Sequence, residues 1–268
     1  MNVPDFLIIG GMRCGTTTLH ELLRRQSSIF FPETKEVHFF DKRNLDLGVS
    51  VEDYSDLFSA CPVNNLTGEA TTDYLSTEGC DEFIFRTIPD VKLLIILRNP
   101  LDRVWSHYQF SVEENVETLE LMPALIEENK RLKIKSDHSD IFFSYLQRSR
   151  YIEHLIRFER LFGRDQMKVV FFEELIQNPQ QVLSDILGYL GVAMQPVLED
   201  LPHLNKIDSQ PLEPTHKTGV VKRILTRLKI DNAARKRKLT SSDRKYLQSY
   251  FFEHNQKLQS WLGRPLPW

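Results

Sequence analysis

Cysteine is scarce in this chain. Three cysteines, Cys14, Cys61 and Cys80, occur among 268 residues; an odd number without metal-type spacing supports neither a disulfide framework nor a zinc site, and it fits a reducing compartment. Long apolar runs are missing too, none approaching the roughly 18 residues of a membrane span. The first apolar strand begins about five residues from Met1, which leaves no room for a leader peptide. With Met1 as the natural start, the expectation is a cytoplasmic protein without a membrane span. Charge of one sign is also lacking: a net charge of −3 speaks against a general nucleic-acid binder. The sequence carries no signal of oligomeric state. What remains, 41% hydrophobic and 10% aromatic residues, is enough to bury a sizeable core, and a single domain over 1–268 is the default.

The chain is organised around FLIIGGMRCGTTT, residues 6–18. Phe6 to Ile9 reads as a short buried strand. Gly10 and Gly11 break it, and a hydroxyl-rich turn leads into a helical pattern with Leu19, Leu22 and Leu23 on one face. A helix N-terminus fed by such a loop offers unpaired N–H groups and a partial positive charge to a phosphate-type oxyanion. The spacing from Gly10 to Gly15 nearly matches the phosphate loop of nucleoside triphosphatases, but Thr16 stands where that loop has its lysine. A triphosphatase needs that lysine and an acid to hold magnesium. Here the cation within the loop is Arg13, and the next clear strand ends in Arg98. Such a cradle suits a ligand of lower charge than a triphosphate.

The second anchor is KLLIILRNPLDRVWSHYQF, residues 92–110. Leu93 to Leu97 is an unbroken apolar run of the kind buried on both faces of a parallel sheet. Asn99 suits the N-cap and Pro100 the first helical position, so a helix should start at once. Arg98 then sits at the carboxyl end of a central strand, where open α/β sheets bind ligands.

In order along the chain, MRCGTTTL (12–19), KEVHFF (35–40), GEATTDYL (68–75) and LRNPLDRVWSHY (97–108) resemble the sulfotransferase family that uses 3′-phosphoadenylyl sulfate (PAPS), above all its glycan, heparan-sulfate-type and bacterial branches. The resemblance implies an α/β fold, a parallel sheet flanked by helices of the P-loop-like sulfotransferase type. It implies PAPS as donor, the bisphosphate PAP as product, no metal, and transfer of a sulfuryl group to the hydroxyl of a carbohydrate or small molecule, or to an amine. Carried over residue by residue, it makes the loop Arg13, Cys14, Gly15, Thr16, Thr17 and Thr18 the segment that binds the 5′-phosphate. Arg98 and Ser106 hold the 3′-phosphate, Glu36 is the base that takes the acceptor proton, and Arg13 stabilises charge on the bridging oxygen. GEATTDYL is placed beside the acceptor site. His38 is the rival base, although its apolar neighbours read as a packed histidine.

Other stretches carry less. Residues 51–61 read as a scaffold helix. Residues 111–140, charged and interrupted by Pro123, read as an exposed insertion or lid. Phe143 to Phe162 reads as an amphipathic helix closed by Gly163. The run 167–175 reads as a buried strand whose Glu173 imitates the magnesium acid of a triphosphatase, and Asn178 and Pro179 open a helix to Gly191. Residues 196–238 read as a loop region that covers nucleotide and substrate, with nine basic residues between Lys217 and Lys238. A last helix spans Ser241 to about Leu262. Two alternatives stay open: a magnesium-dependent P-loop kinase or NTPase, and a non-catalytic nucleotide-fold module.

Overall fold

The computed structural model describes residues 2–41, 48–134, 139–195 and 239–268. Five parallel strands form the sheet: β1 (Phe6–Gly10), β2 (Ile29–Phe30), β3 (Leu66–Ala70), β4 (Lys92–Leu97) and β5 (Met167–Phe171), in the order β2-β3-β1-β4-β5. Helices flank them: α1 (Thr16–Arg24), α2 (Val51–Asp56), α3 (Cys80–Thr87), α4 (Pro100–Glu113), α5 (Leu121–Lys133), α6 (Ser139–Phe143), α7 (Tyr151–Phe162), α8 (Phe172–Gln177), α9 (Pro179–Leu190) and α10 (Ser241–Leu262).

Every residue of β1 is buried, as are Leu93 to Leu97 of β4. This follows from their central position, with helices over the sheet, and it is why both read as continuous apolar runs rather than alternating ones. The chain leaves β1 toward β2 and β3 on one side, and leaves β4 toward β5 on the other. The β1/β4 boundary is therefore the point where the winding reverses, and the crevice beyond the carboxyl ends of these two strands is where such sheets take their ligands. The β1–α1 loop and the β4–α4 turn meet there. Asn99 caps α4 as its sequence demands, its Oδ1 accepting the Leu101 N–H at 3.0 Å with Pro100 in the first turn.

Four readings from the sequence are corrected. The scaffold helix at 51–61 ends at Asp56, although its Ser50/Asp53 capping box is complete. The strand opened by Met167 ends at Phe171, so Glu173 lies in the first turn of α8. The amphipathic helix begins at Tyr151 rather than Phe143, after a short 3-10 turn at 147–149. Finally, α5 is not a merely solvated lid: Leu121, Ala124 and Leu125 are buried with Val104, Tyr108, Leu247 and Phe251 in a second core between α4, α5 and α10. Pro123 does not interrupt this helix, since it occupies the first turn, where no intrahelical partner for an N–H exists. Charged residues hide the buried face from a reading of composition. Glu128, enclosed, accepts the backbone N–H groups of Leu146 and Gln147 at 2.7 and 2.8 Å. Glu117, also enclosed, meets the Arg131 guanidinium at 2.5 Å and the Tyr145 hydroxyl at 2.8 Å.

Among the described residues no helix is long and apolar enough to cross a membrane. The nucleotide-covering loop read at 196–238 lies outside the described residues.

Candidate active site

The site begins with the loop between β1 and α1. Gly15 is the N-cap of α1 with φ 88°, and a Cβ there would collide with the Phe172 ring, so the position admits glycine alone. No side chain caps α1 among the described residues. Its first-turn amides have no helical carbonyl to bond, and they open toward the crevice beside Thr17, whose side chain is exposed while Thr16 and Thr18 are nearly enclosed. The loop is fit to hold an oxyanion.

Cys14 does not join that donor set. Its thiol is buried against the Tyr151 hydroxyl at 3.6 Å, burial pushes its pKa up, and its N–H donates to the Gly11 carbonyl at 3.1 Å. Both polar groups are engaged, the N–H inside the loop and the thiol against α7, and Cys14 packs the loop onto that helix.

Arg13, Arg98 and Ser106 come together. Arg13 Nε donates to Ser106 Oγ at 3.0 Å, and its guanidinium lies over the Phe110 ring at 5.5 Å. Arg98 Nη1 donates to the Arg13 carbonyl at 3.3 Å, with its guanidinium 4.9 Å from the Phe172 ring centre. Two guanidinium groups and a hydroxyl thus gather at the junction of β1 and β4, next to the helix N-terminus, in an arrangement that can hold an anion. The Tyr151 hydroxyl fixes the Arg98 carbonyl at 2.9 Å, and Glu173 accepts the Asn99 N–H at 2.8 Å. Glu173 thus braces the turn that carries Arg98.

The other side of the site is the segment 35–41, which is stitched to the end of β3. The Glu36 N–H donates to the Ala70 carbonyl at 3.0 Å. Its carboxylate accepts the Thr72 N–H at 2.8 Å and hydroxyl at 3.2 Å, and Lys35 Nζ at 2.8 Å. Lys35 Nζ also donates to Thr17 Oγ1 at 3.2 Å and thereby ties this segment to the phosphate loop. His38, expected as a packed histidine, keeps some exposure and pairs through Nδ1 with Asp41 at 2.5 Å. Phe39 and Phe40 anchor the segment in an aromatic cluster with Tyr54, Tyr74 and Phe83. Two motifs distant in sequence, KEVHFF and GEATTDYL, are therefore one structural unit.

Backbone conformation points to the same place. Five non-glycine residues have positive φ among the described residues: Asn64 and Asn115, which adopt it readily, and Arg13 (65°), Glu36 (59°) and His38 (58°). All three of the strained ones are in this site. Such conformations cost roughly 1–3 kcal/mol each and concentrate where function over-determines the backbone.

Behind the segment Glu69 is fully enclosed. It accepts the hydroxyls of Tyr54 at 2.8 Å, Tyr74 at 3.3 Å and Thr71 at 2.5 Å, and burial nonetheless raises its pKa to about 7. Burial, followed by the charge of Lys35, lowers the pKa of His20 to about 4. His38, Asp41 and Asp73 bring potential metal-ligand atoms within 4.8 Å of one another, but Asp73 is paired with Arg148 at 2.5 Å and His38 with Asp41. A cation there would have to displace both pairs.

Sequence reasoning singled out Glu36, Arg13, Arg98 and Ser106, of which the structure brings the last three into direct contact, and it passed over the contacts of Lys35, Thr72, Phe110 and Phe172. Lys35 carried a signal, its place beside Glu36 in the same motif. The other three make their contacts through a backbone N–H and hydroxyl or through a ring face, which spacing does not display.

These features define an α/β protein that gathers an uncapped helix start and two guanidinium groups beyond the carboxyl ends of its central parallel strands. The family description "Sulfotransferase domain" matches residues 3–265, and the chain belongs to the sulfotransferase family. It is 28% identical to mouse bifunctional heparan sulfate N-deacetylase/N-sulfotransferase 4 over 99% of its own length and 31% of that protein's. The chain thus spans about a third of the length of the curated relatives of this kind. It also resembles the Dictyostelium discoideum membrane-associated sulfotransferase kil1, at 21% identity over 99% of this chain and 66% of that one. Among solved structures, a sulfotransferase from Alicyclobacillus acidocaldarius superposes with a TM-score of 0.76 at 27% identity, covering 99% of this chain and 98% of that one. Mouse sulfotransferase SULT7A1 complexed with PAP shares the fold, with a TM-score of 0.55 at 16% identity over 94% and 85% of the two chains.

Proposed function

We propose that the chain transfers a sulfuryl group from PAPS to an acceptor hydroxyl of a carbohydrate or small molecule and releases PAP. The observation that carries this reading is a second group of anion-fitted side chains, Arg98 and Ser106, both linked to Arg13 and next to the uncapped start of α1. A ligand with phosphates at both the 5′ and 3′ positions uses both sites; ATP uses one.

The donor supplies an activated sulfuryl group on a good leaving phosphate, and the residues do the rest. The first-turn amides of α1, with Thr16, Thr17 and Thr18, hold the 5′-phosphate. Arg98 and Ser106 hold the 3′-phosphate. Arg13 stabilises the charge that develops on the bridging oxygen, and it does so electrostatically, since a guanidinium does not give up a proton. Glu36 accepts the acceptor proton; its bonds to Thr72 hold the carboxylate in place for that step. Several relatives are named N-sulfotransferases, which makes an amine the second acceptor class to assay.

Calorimetric titration with PAP and with ATP, each with and without magnesium, tests the donor. Metal-independent binding of PAP in preference to ATP supports the reading. Binding of ATP with magnesium alone would replace it with the nucleotide kinase or NTPase, and Glu173 would become the residue to examine.

A further inference from the structure

We infer that Arg103 is a positioning residue for the donor: enclosed under the face of α4 that carries Ser106, it locks the register of that helix and so sets the spacing between Ser106 and Arg98. This deepens the donor reading above and rests on it. Arg103, His107 and Ser111 recur every four residues, so they share one face of α4, and all three are fully enclosed. Polar side chains buried on three successive turns must find partners.

They find them on one stretch of chain, residues 141–149. Arg103 donates through Nε to the Ser149 hydroxyl and through Nη2 to the Tyr145 carbonyl, and its Nη1 stands 3.4 Å from His107 Nδ1. A guanidinium only donates, so His107 Nδ1 accepts and the ring proton is on Nε2, which donates to the Ile141 carbonyl at 2.6 Å. Burial, followed by the charge of Arg103, pushes the pKa of His107 well down, so the ring stays neutral. Ser111 Oγ donates to the Phe142 carbonyl at 2.7 Å. The seam between α4 and 141–149 is thus made of directional bonds to backbone carbonyls and one hydroxyl. Apolar side chains in such a place can repack with small shifts; a planar fork of donors bonded to two fixed acceptors holds one register.

Beside the seam on the same helix run Ser106 and Phe110, both in contact with Arg13. Whatever fixes Arg103 therefore fixes Ser106, three residues further along α4. The other end of the turn is tied to the same support, since the Tyr151 hydroxyl, two residues past Ser149, donates to the Arg98 carbonyl at 2.9 Å. Arg98 and Ser106 are in this way held at a set distance by a single segment, Tyr145 to Tyr151. With no exposed surface, Arg103 has no face to offer a ligand, and it acts through Ser106.

The test compares PAP with adenosine 5′-phosphate, which lacks only the 3′-phosphate, by calorimetry on wild type, Arg103→Lys, Ser106→Ala and the double variant. Wild-type preference for PAP is the control for the donor reading: without it the sulfotransferase proposal fails, whatever Arg103 does. Given that control, Arg103→Lys keeps the charge but not the fork, and it is expected to weaken PAP about tenfold, the size of one hydrogen bond to a charged group. Adenosine 5′-phosphate should stay within about twofold. In the Ser106→Ala background the same change should cost PAP no more than about twofold, because residues that act through one contact are not additive. Equal weakening of both ligands would show that Arg103 serves only the fold, and a full loss of PAP affinity in both backgrounds would show that it does not act through Ser106. Either result overturns the proposal, as does unchanged affinity for PAP. Circular dichroism reports the fold of each variant. Should Arg103→Lys unfold, Ser149→Ala removes the acceptor of Arg103 Nε without altering α4, and the same selective, non-additive loss of PAP affinity is expected of it.

Discussion

The Thr72 N–H donates to Glu36 Oε2 at 2.8 Å, and together with the Glu36 N–H bond to the Ala70 carbonyl it joins the segment that carries the proposed base to the end of β3. Because Glu36 has positive φ, the carboxylate is aimed by its backbone as well as by its partner. Replacement by glutamine keeps the size of the side chain and an oxygen for the Thr72 N–H but removes the proton acceptor. Glu36→Gln should lower sulfuryl transfer by roughly 10²- to 10⁴-fold, the usual contribution of a general base, while PAP affinity stays near wild type. The comparison of rate with PAP dissociation constant checks it. Activity above a tenth of wild type would assign the base elsewhere, with His38 next in line.

Arg98 answers a different question, that of donor identity. Its guanidinium is positioned by the Phe172 ring and the Arg13 carbonyl, so alanine there removes a charge-assisted contact without opening the core of the sheet. Arg98→Ala should weaken PAP by about 10- to 100-fold, as expected for a hydrogen bond to a charged group, and leave adenosine 5′-phosphate nearly unaffected. Parallel titrations decide. Equal losses for the two ligands would mean that Arg98 does not read the 3′-phosphate.

These residues also show what was legible beforehand. Phe6 to Ile9 and Leu93 to Leu97 announced themselves because strands buried on both faces must be apolar throughout, and Asn99-Pro100 fixed the start of α4 through capping chemistry. Arg98 followed from being placed just after such a strand. The buried face of α5 did not show, because Glu128 within it and Glu117 just before it are enclosed charges satisfied by partners 14 to 28 residues away in the chain, and a charged stretch reads as solvated. Lys35 had a local signal in its motif beside Glu36, but its contact with Thr17, across 18 residues, did not show. Glu173 was misread because a strand followed at once by a helix leaves no break in an apolar-then-acidic run.

Glu173 has a structural task that yields its own test. It accepts the Asn99 N–H at 2.8 Å at the end of β4, and burial raises its pKa. Glu173→Ala would leave that N–H without its acceptor, at a cost of about 1–3 kcal/mol. The expected outcome is a lower midpoint of denaturant unfolding, equal in size with and without magnesium. A magnesium-dependent difference between variant and wild type would reopen the triphosphatase reading.

Glu69 connects the acceptor side of the site to pH. Its carboxyl has an ordinary value of 4.5 and a folded value of about 7, because full burial outweighs the hydroxyls of Thr71, Tyr54 and Tyr74 that favour the anion. Between those two values the folded chain holds a proton that the unfolded chain has released, so stability must fall as pH rises through this window and level off above it. The full drop is on the order of 3 kcal/mol. Glu69→Gln cannot titrate, and the difference between wild type and variant isolates this carboxyl from every other group. Denaturant midpoints at steps across that window should show wild type losing stability relative to Glu69→Gln, with the difference constant above it. Parallel curves for the two proteins would mean that Glu69 is ionised in the fold at all these pH values, stabilised by its three hydroxyl donors more strongly than burial opposes it.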